Sequence, residues 1–177
     1  AEQGADVTLI AGPVSLKTVH PNIHRIDVES AEEMYQAAVA AFPDADAGIL
    51  CAAVADYRPE MQATEKIKRE SKGDMMLHLV PNKDIAASLG SMKQEGQVLV
   101  GFALETENET LYAEGKLKRK NLDFIVMNSL RDAGAGFRTD TNKITIIDSK
   151  GEVTAYPLKS KQEVATDIVN KLASFLK

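Results

Sequence analysis

The stretch 47–53, Ala-Gly-Ile-Leu-Cys-Ala-Ala, is apolar throughout and decides the fold. Two similar stretches follow it along the chain, 97–103 (QVLVGFA) and 124–127 (FIVM). Continuous apolar runs of this length are typical of parallel strands that are buried on both faces. We therefore predict that all three are buried strands of a parallel sheet.

The segments around these strands alternate between strand and helix patterns. Further strands are predicted at 6–10, 24–28 and 75–80, and helices at 30–41, 84–89, 106–120 and 160–176. Ser30 with Glu33 is a predicted capping box, and Thr106 is the predicted cap of the third helix. This order predicts an α/β protein with a Rossmann-like, doubly wound, mainly parallel sheet.

Two segments depart from the strand–helix alternation. Residues 56–74 are polar and charged without a helical period, and we interpret them as a flap outside the core. Residues 139–147 and 153–156 alternate apolar with polar side chains, which predicts an added antiparallel hairpin. One nucleotide-binding domain over 1–177, with 56–74 as its flap, is the predicted organisation.

The chain opens on the second half of a strand–helix–strand unit. Residues 1–5 (AEQGA) have the pattern of a helix end, with Gly4 in the left-handed position just past it. A predicted strand follows at once, so the first strand and loop of such a unit are absent from the sequence. No phosphate-binding glycine motif occurs in it.

Composition restricts the class of function. The net charge of −5 and pI near 5.3 argue against a general nucleic-acid binder. Cys51 is the only cysteine, which excludes an intrachain disulfide and fits a cytoplasmic setting. We predict that its thiol is buried and inert. No apolar run is long enough for a membrane helix, and the histidines and Cys51 show no metal-site spacing.

Three segments follow the ends of predicted strands, where open parallel sheets bind ligands: 52–58, 82–86 and 101–106. Asp56 could bind a ribose, a base amino group or magnesium, or could cap a helix or form a loop salt bridge. The turn 82–86 could offer backbone N–H groups to an anion or a base edge. Ordinary capping by Asn82 or Asp84 explains the same residues.

Cations and one aromatic side chain complete the candidates. The run 66–69 (KIKR) could neutralise a triphosphate or a developing phosphate charge, although such runs are usually solvated. Phe102 could stack on a base or pack in the core. Lys116 and Lys120 lie four apart on one helix face, and on pattern alone they are solvated surface residues.

Taken together, these segments resemble the phosphopantothenate–cysteine ligases. The resemblance runs from Gly4 to the C-terminal helix, and it is specific because several segments match in register. They are 12–14 (GPV), 52–58 (AAVADYR), 66–69 (KIKR), 82–85 (NKDI), 101–106 (GFALET) and 120–123 (KNLD).

The resemblance implies an activity in coenzyme A synthesis. Bacterial members of the family activate 4′-phosphopantothenate with CTP, and cysteine then displaces CMP from the acyl-cytidylate. By position, Asp56 would bind the cytidine side, Lys66 would be the catalytic lysine and Lys68 an additional cation. The remaining predicted nucleotide-binding residues are Ala52, Asn82, Lys83, Asp84, Ile85, Ala86, Phe102, Lys116 and Lys120.

The resemblance also implies a cofactor and partners. Magnesium is expected with the triphosphate. The family's members are typically homodimers, with 139–156 as a plausible contact, and bacterial members are often fused to a flavin-dependent decarboxylase domain. Two departures stand out: Lys83 replaces the family's usual proline, and the family's first strand and serine-rich loop are absent.

Two other functions compete with the ligase. A nicotinamide-dependent oxidoreductase of Rossmann type would need a glycine-rich loop outside the sequence and would leave 66–69 unexplained. A truncated homologue without catalysis, kept for dimerisation, is the other alternative.

Overall fold

The computed structural model describes residues 1–68, 74–105, 109–129 and 139–176. Strands and helices alternate through most of this part of the chain. In chain order the elements are β1 (Val7–Ala11), β2 (Ile23–Asp27), α1 (Ala31–Ala41), a 3-10 turn (Phe42–Asp44), β3 (Ala47–Leu50), β4 (Tyr57–Pro59), β5 (Leu79–Pro81), α2 (Ile85–Met92), β6 (Val98–Glu105), α3 (Glu109–Arg119), β7 (Phe124–Ser129), β8 (Thr141–Asn142), β9 (Ile144–Asp148), β10 (Val153–Ala155), β11 (Lys159–Ser160) and α4 (Lys161–Ala173).

A five-stranded sheet in the order β10-β9-β7-β6-β3 forms the largest layer. Strands β3, β6 and β7 run parallel, with Leu50 opposite Gly101 and Gly101 opposite Ile125. Strand β9 pairs antiparallel with β7 on one side and with β10 on the other. The predicted α/β class, the mainly parallel sheet and the antiparallel hairpin are confirmed.

The core of this sheet is built from the apolar runs of β6, β7 and β9. Leu99, Phe124 and Ile146 are each at most 1% exposed. Full burial of such a side chain contributes about 1.5–3 kcal/mol, so these strands dominate the stability of the sheet. Helix α4 covers the same core through Val164 and Ile168.

Side-chain caps are present at the start of α4, where no capping box is predicted, and at the start of α1, where Ser30 and Glu33 predict one. At α4 the Ser160 hydroxyl accepts from the N–H of Glu163, whose carboxylate accepts from the N–H of Ser160. At α1 the Ser30 hydroxyl accepts from the N–H of Glu33 at 3.2 Å. The Glu33 carboxylate reaches one residue further back, to the N–H of Glu29 at 2.8 Å.

The chain divides into two compact units. The first comprises Ala1–Gln36 and Ala53–Asp84, and the second Ala37–Ala52 and Ile85–Lys177. The first unit contains the parallel pair β1–β2 and the antiparallel pair β4–β5. The second contains the five-stranded sheet, and a single domain over 1–177 stays a prediction.

Strand β3 corrects the prediction that 47–53 is a strand buried on both faces. The strand covers only Ala47–Leu50 and lies at the edge of its sheet. Ile49 is 45% exposed, and Cys51, which follows the strand, is exposed and not buried. The apolar run is compatible with an edge or a central position because periodicity does not specify which strands pair.

The predicted flap and the strand after it also differ from the structure. Residues 57–59 form β4, which pairs with β5 to make a three-residue antiparallel ribbon. The predicted strand at 75–80 is therefore shortened to Leu79–Pro81. Helix α2 begins at Ile85 and continues to Met92, past the predicted end. The predicted cap at Thr106 lies outside the described residues.

Candidate functional site

The β4–β5 ribbon in the first unit brings Asp56 and Asn82 together. The backbone N–H of Asn82 donates to the carbonyl of Asp56 at 2.8 Å. The Asn82 side-chain amide donates to the carbonyl of Ala55, also at 2.8 Å. The Asp56 side chain is exposed beside this contact. Asn82 therefore uses its N–H groups to hold the 55–56 backbone in place.

Arg58, in β4, forms hydrogen bonds to residues at the end of β5. One guanidinium nitrogen, Nη1, donates to the carbonyl of Pro81 at 2.8 Å and to the side-chain oxygen of Asn82 at 3.1 Å. At the far end, Glu60 donates its N–H to the carbonyl of His78, and their side chains meet at 2.7 Å. Glu60 and His78, the two ends of the loop 60–78, are thus hydrogen-bonded to each other.

Lys83 contacts two residues of helix α1, Glu32 and Tyr35, that lie with it in the first unit. Its ammonium lies 2.6 Å from a carboxylate oxygen of Glu32 and 4.6 Å from the centre of the Tyr35 ring. The hydrogen bond from Lys83, with a second from Gln36, lowers the pKa of the Glu32 carboxyl below its ordinary value. The residue in the place of the family's proline therefore forms an ion pair beside the turn.

Lys66 and Lys68 lie on the loop that the ribbon closes. Both side chains are exposed, as is the rest of 60–68. Arg69, the last cation of the run, lies outside the described residues. Asp84 follows the ribbon and is also exposed.

The second unit carries the other predicted nucleotide-binding residues. Ile85 is 9% exposed, so its side chain offers little surface to a ligand. Phe102 packs against the buried cluster of β6, β7 and β9 while remaining partly accessible. Ala52 and Ala86 are small and at least partly accessible. This placement of Phe102 agrees with core packing and leaves part of its surface for a ligand.

Lys116 and Lys120 lie on the last turns of α3 and just beyond it, both partly buried. The chain leaves the helix at Asn121, which adopts a positive φ of 50°. This conformation is unfavourable for most residues but tolerated by asparagine. The Asn121 side chain donates to the carbonyl of Gly90 at 2.9 Å, and its carbonyl accepts from Lys93 at 2.8 Å.

The next two residues lock this corner to the sheet. The side chain of Leu122 lies so close to Gly101 that a Cβ at Gly101 would meet it at 2.6 Å. Asp123 accepts from the N–H of Leu99 at 2.6 Å and from Lys93 at 3.0 Å. In the sequence, residues 121–123 stand out only through the family resemblance. Their contacts fix the position of Lys120, which precedes them at the end of α3.

A further feature of the first unit was not predicted from the sequence. A surface depression of about 490 Å³ lies at the carboxyl ends of β1 and β2, lined by Gly12, Pro13, Val14, Asp27, Val28 and Glu29. The sequence signal for it is that residues 12–14 and 28–29 lie at or just past the ends of two predicted strands, where parallel sheets bind ligands. Arg25 lies 2.7 Å from Asp27 at the same edge.

Asn128 near the end of β7 was also missed. Its side-chain oxygen is buried and accepts no hydrogen bond from the residues that the structure describes. A buried acceptor without a donor costs about 1–3 kcal/mol, so such a group calls for a functional or structural reason. No sequence signal marks it, because only the packing around β7 decides which asparagine atoms find a partner.

Cys51 has the chemistry of a potential nucleophile. Desolvation raises the pKa of the Cys51 thiol, which opposes a role as a thiolate nucleophile although the residue is exposed. Within 1–68, 74–105, 109–129 and 139–176, no three His, Cys, Asp or Glu side chains are placed to hold a metal ion. No helix in these ranges is both long and apolar enough to cross a bilayer.

Comparison with curated proteins shows relatives across nearly the whole chain. A "Cysteine/Cysteine sulfinic acid decarboxylase" from an unknown prokaryotic organism is 53% identical over 99% of the chain and 49% of its own length. The coenzyme A biosynthesis bifunctional protein CoaBC of Vibrio vulnificus is 43% identical over 98% of the chain and 43% of its own length. The Escherichia coli CoaBC is 39% identical over the same shares. The chain spans about half the length of the curated relatives it matches.

Solved structures give the same relationship. The C-terminal domain of CoaBC superimposes with a TM-score of 0.81 at 34% identity, covering 99% of this chain and 76% of that domain. A Streptococcus pneumoniae flavoprotein of DNA/pantothenate metabolism has the same TM-score at 19% identity, over 98% of this chain and 83% of its own, which shows a shared fold. The family model described as "DNA/pantothenate metabolism flavoprotein C-terminal domain" matches residues 1–176. The resemblance found in the sequence is confirmed, and the chain belongs to this family.

Proposed function

We propose that this chain catalyses the CTP-dependent ligation of 4′-phosphopantothenate with cysteine. The pantothenate carboxylate attacks the α-phosphorus of CTP, giving an acyl-cytidylate and pyrophosphate. The cysteine amine then attacks the acyl carbon, a proton is lost, and CMP leaves as the amide forms. The nucleotide is required because a free carboxylate has no adequate leaving group.

One observation carries the proposal. The chain is about 40% identical to CoaBC proteins over nearly its whole length, and the C-terminal domain of CoaBC has the same fold at 34% identity. CoaBC is named as a bifunctional protein of coenzyme A biosynthesis, so the proposal assigns one of its two activities to this region. A more distant relative by fold, Cab2, with a TM-score of 0.63, has been solved in complex with phosphopantothenate–cysteine, the product of the proposed reaction.

Lys66 is the proposed catalytic residue. It lies on the loop that follows β4, within the exposed stretch 60–68. Closure of this loop over the nucleotide would carry the ammonium to the acyl phosphate and exclude water that competes with cysteine. Lys68 on the same loop is the proposed second cation.

Asp56 is proposed to bind the cytidine side of the nucleotide. Its carboxylate is exposed, while its backbone is held by Asn82. The turn 82–86, which follows β5, would contribute mainly backbone N–H groups. The Asn82 amide and the Lys83 ammonium already have partners in the first unit. In the second unit the proposed nucleotide contacts are Ala52, Ile85, Ala86, Phe102, Lys116 and Lys120.

Magnesium is proposed to accompany the triphosphate. The described residues offer no cluster of ligands that fits a metal ion held by the protein alone. Magnesium bound through nucleotide phosphates and water needs few protein ligands. No step is therefore assigned to a protein-held ion.

The partners of the chain follow from the same proposal. We propose a cytoplasmic homodimer, and a flavin-dependent decarboxylase fused to it or associated with it. The curated relatives are about twice as long as the matched region, and CoaBC is bifunctional by name, which supports a second domain.

The test is product formation by the natural full-length protein. With CTP, 4′-phosphopantothenate and cysteine, mass spectrometry should detect phosphopantothenoylcysteine, with CMP and pyrophosphate in equal amounts. Without cysteine, pyrophosphate should still be released for about one turnover. ATP in place of CTP tests the nucleotide, and absence of ligated product with either nucleotide would refute the proposal.

A decarboxylase is the second candidate function, because the 53% identical relative carries that name. The same reactions supply its test if cysteine and cysteine sulfinic acid are each offered alone. Release of carbon dioxide from either compound by a protein reduced to this chain would favour the decarboxylase. Release only by the full-length protein would assign that activity to the region outside this chain.

A further inference from the structure

The ribbon formed by β4 and β5 is short for the task of holding a binding site. Only three residue pairs form its ladder, Tyr57–Pro81, Arg58–Val80 and Pro59–Leu79. An isolated two-stranded ribbon is marginally stable in water. The geometry of the ribbon therefore depends on bonds outside the ladder.

Arg58 supplies such bonds at the end of the ribbon nearest Asp56. Its Nη1 donates to the carbonyl of Pro81 and to the side-chain oxygen of Asn82, at 2.8 and 3.1 Å. One charged donor thus holds two consecutive residues of the opposite segment. Hydrogen bonds from a charged group are stronger than those between neutral groups.

Arg58 also determines which way the Asn82 amide faces. A guanidinium group has donors only, so the Asn82 oxygen must point to Arg58. The Asn82 nitrogen then points to the carbonyl of Ala55, which it reaches at 2.8 Å. With the backbone bond from Asn82 to Asp56, this arrangement fixes the separation of two segments that the proposed function assigns to the nucleotide.

We infer that Arg58 is a positioning residue of the nucleotide site, acting through Asn82. Arg58 sets the orientation of the Asn82 carboxamide, and Asn82 holds the backbone that carries Asp56. The inference rests on the proposed function, because it concerns nucleotide binding. It predicts that replacing Arg58 raises the KM for CTP and leaves the KM for cysteine nearly unchanged.

A double-mutant cycle in the natural full-length protein tests the inference. Arg58→Met keeps much of the length of the side chain and removes both bonds, and Asn82→Ala removes the group through which Arg58 acts. Each single variant should raise the KM for CTP about tenfold, the scale of losing one or two hydrogen bonds. The KM for cysteine should stay within about twofold. The double variant should be no worse than the weaker-binding single variant, because both changes remove one linkage.

A matched control is Lys159→Met, which removes a charge that pairs with Asp167 at 2.7 Å in the second unit. Its KM for CTP should equal that of the parent. Effects of Arg58→Met and Asn82→Ala that multiply to about a hundredfold would overturn the inference, since Arg58 would then act independently of Asn82. An unchanged KM for CTP in Arg58→Met would overturn the inference and leave the proposed function standing. Failure of the parent to use CTP would refute the proposed function as well.

Discussion

Helix α2 passes so close to the end of α3 that Gly90 tolerates no side chain. A Cβ built at Gly90 would lie 1.9 Å from the carbonyl oxygen of Lys120 and 2.7 Å from its carbonyl carbon. The obstacle is backbone and not the movable end of a side chain. To reach an ordinary contact of 3.4 Å, the two segments would have to separate by about 1.5 Å.

We therefore predict that Gly90→Ala is strongly destabilising. A separation of this size would break the bond from Asn121 to the Gly90 carbonyl, now 2.9 Å, and strain the bond from Lys93 to Asn121. Overpacking costs about 1–3 kcal/mol and each lost hydrogen bond about 1 kcal/mol. Alanine recovers about 1 kcal/mol in helix propensity. The expected net loss is about 1–3 kcal/mol in the free energy of unfolding.

Urea denaturation of Gly90→Ala and Gly115→Ala measures the effect against a matched control. Gly115 also lies within a helix of the second unit, but among the described residues its Cβ would meet only the flexible end of Arg119, at 3.1 Å. Gly115→Ala should therefore be neutral or stabilise by up to about 1 kcal/mol. Equal stability of Gly90→Ala and the parent would refute the packing argument, and so would equal losses in the two variants.

Three further predictions concern single side chains. Lys66→Gln should slow cysteine ligation about a hundredfold in single-turnover reactions, the scale of losing one transition-state donor, and Lys68→Gln should slow it less; slowing of both half-reactions alike would make Lys66 a general nucleotide-binding cation. Burial alone would raise the pKa of Asp148, but the bond from Lys171 and two backbone N–H groups hold it below its ordinary value. Its stabilising effect is therefore present above the ordinary pKa and lost as the pH falls through the folded-state pKa. Asp148→Asn should lower the free energy of unfolding at pH 7 by about 1.5–3 kcal/mol, and urea titrations should show the difference shrinking at acidic pH; a pH-independent difference would contradict this. Asn128→Leu removes a buried acceptor that has no donor among the described residues and should raise the free energy of unfolding by about 1 kcal/mol; a clear loss of stability would contradict this.

Much of the local structure could be predicted from the sequence because its causes are local. The apolar runs in β6 and β7 predict buried strands, and Leu99 and Phe124 are fully buried. Ser30 and Glu33 predict a helix start because a cap involves residues three apart, and the Ser30 hydroxyl accepts from the N–H of Glu33. Gly4 has the predicted positive φ, at 92°.

The candidate site was predicted less completely. Resemblance pointed to Asp56, Asn82 and Lys120, but it assigned no task to Arg58. The structure shows that Arg58 bonds a residue 24 positions away. A contact of that separation leaves no periodic pattern in the sequence, because each partner satisfies the local rules by itself.

The sequence by itself determined the α/β alternation, the caps and the apolar faces, which depend on side chains within a few positions of one another. Only the tertiary structure decided that β3 lies at a sheet edge and that β4 pairs with β5. Only the tertiary structure, too, explains the segment 121–123, where Asn121 reaches Gly90 and Asp123 reaches Leu99. Strand order and close backbone approaches depend on which distant segments meet, and that depends on packing of the whole sheet and not on the propensity of any one segment.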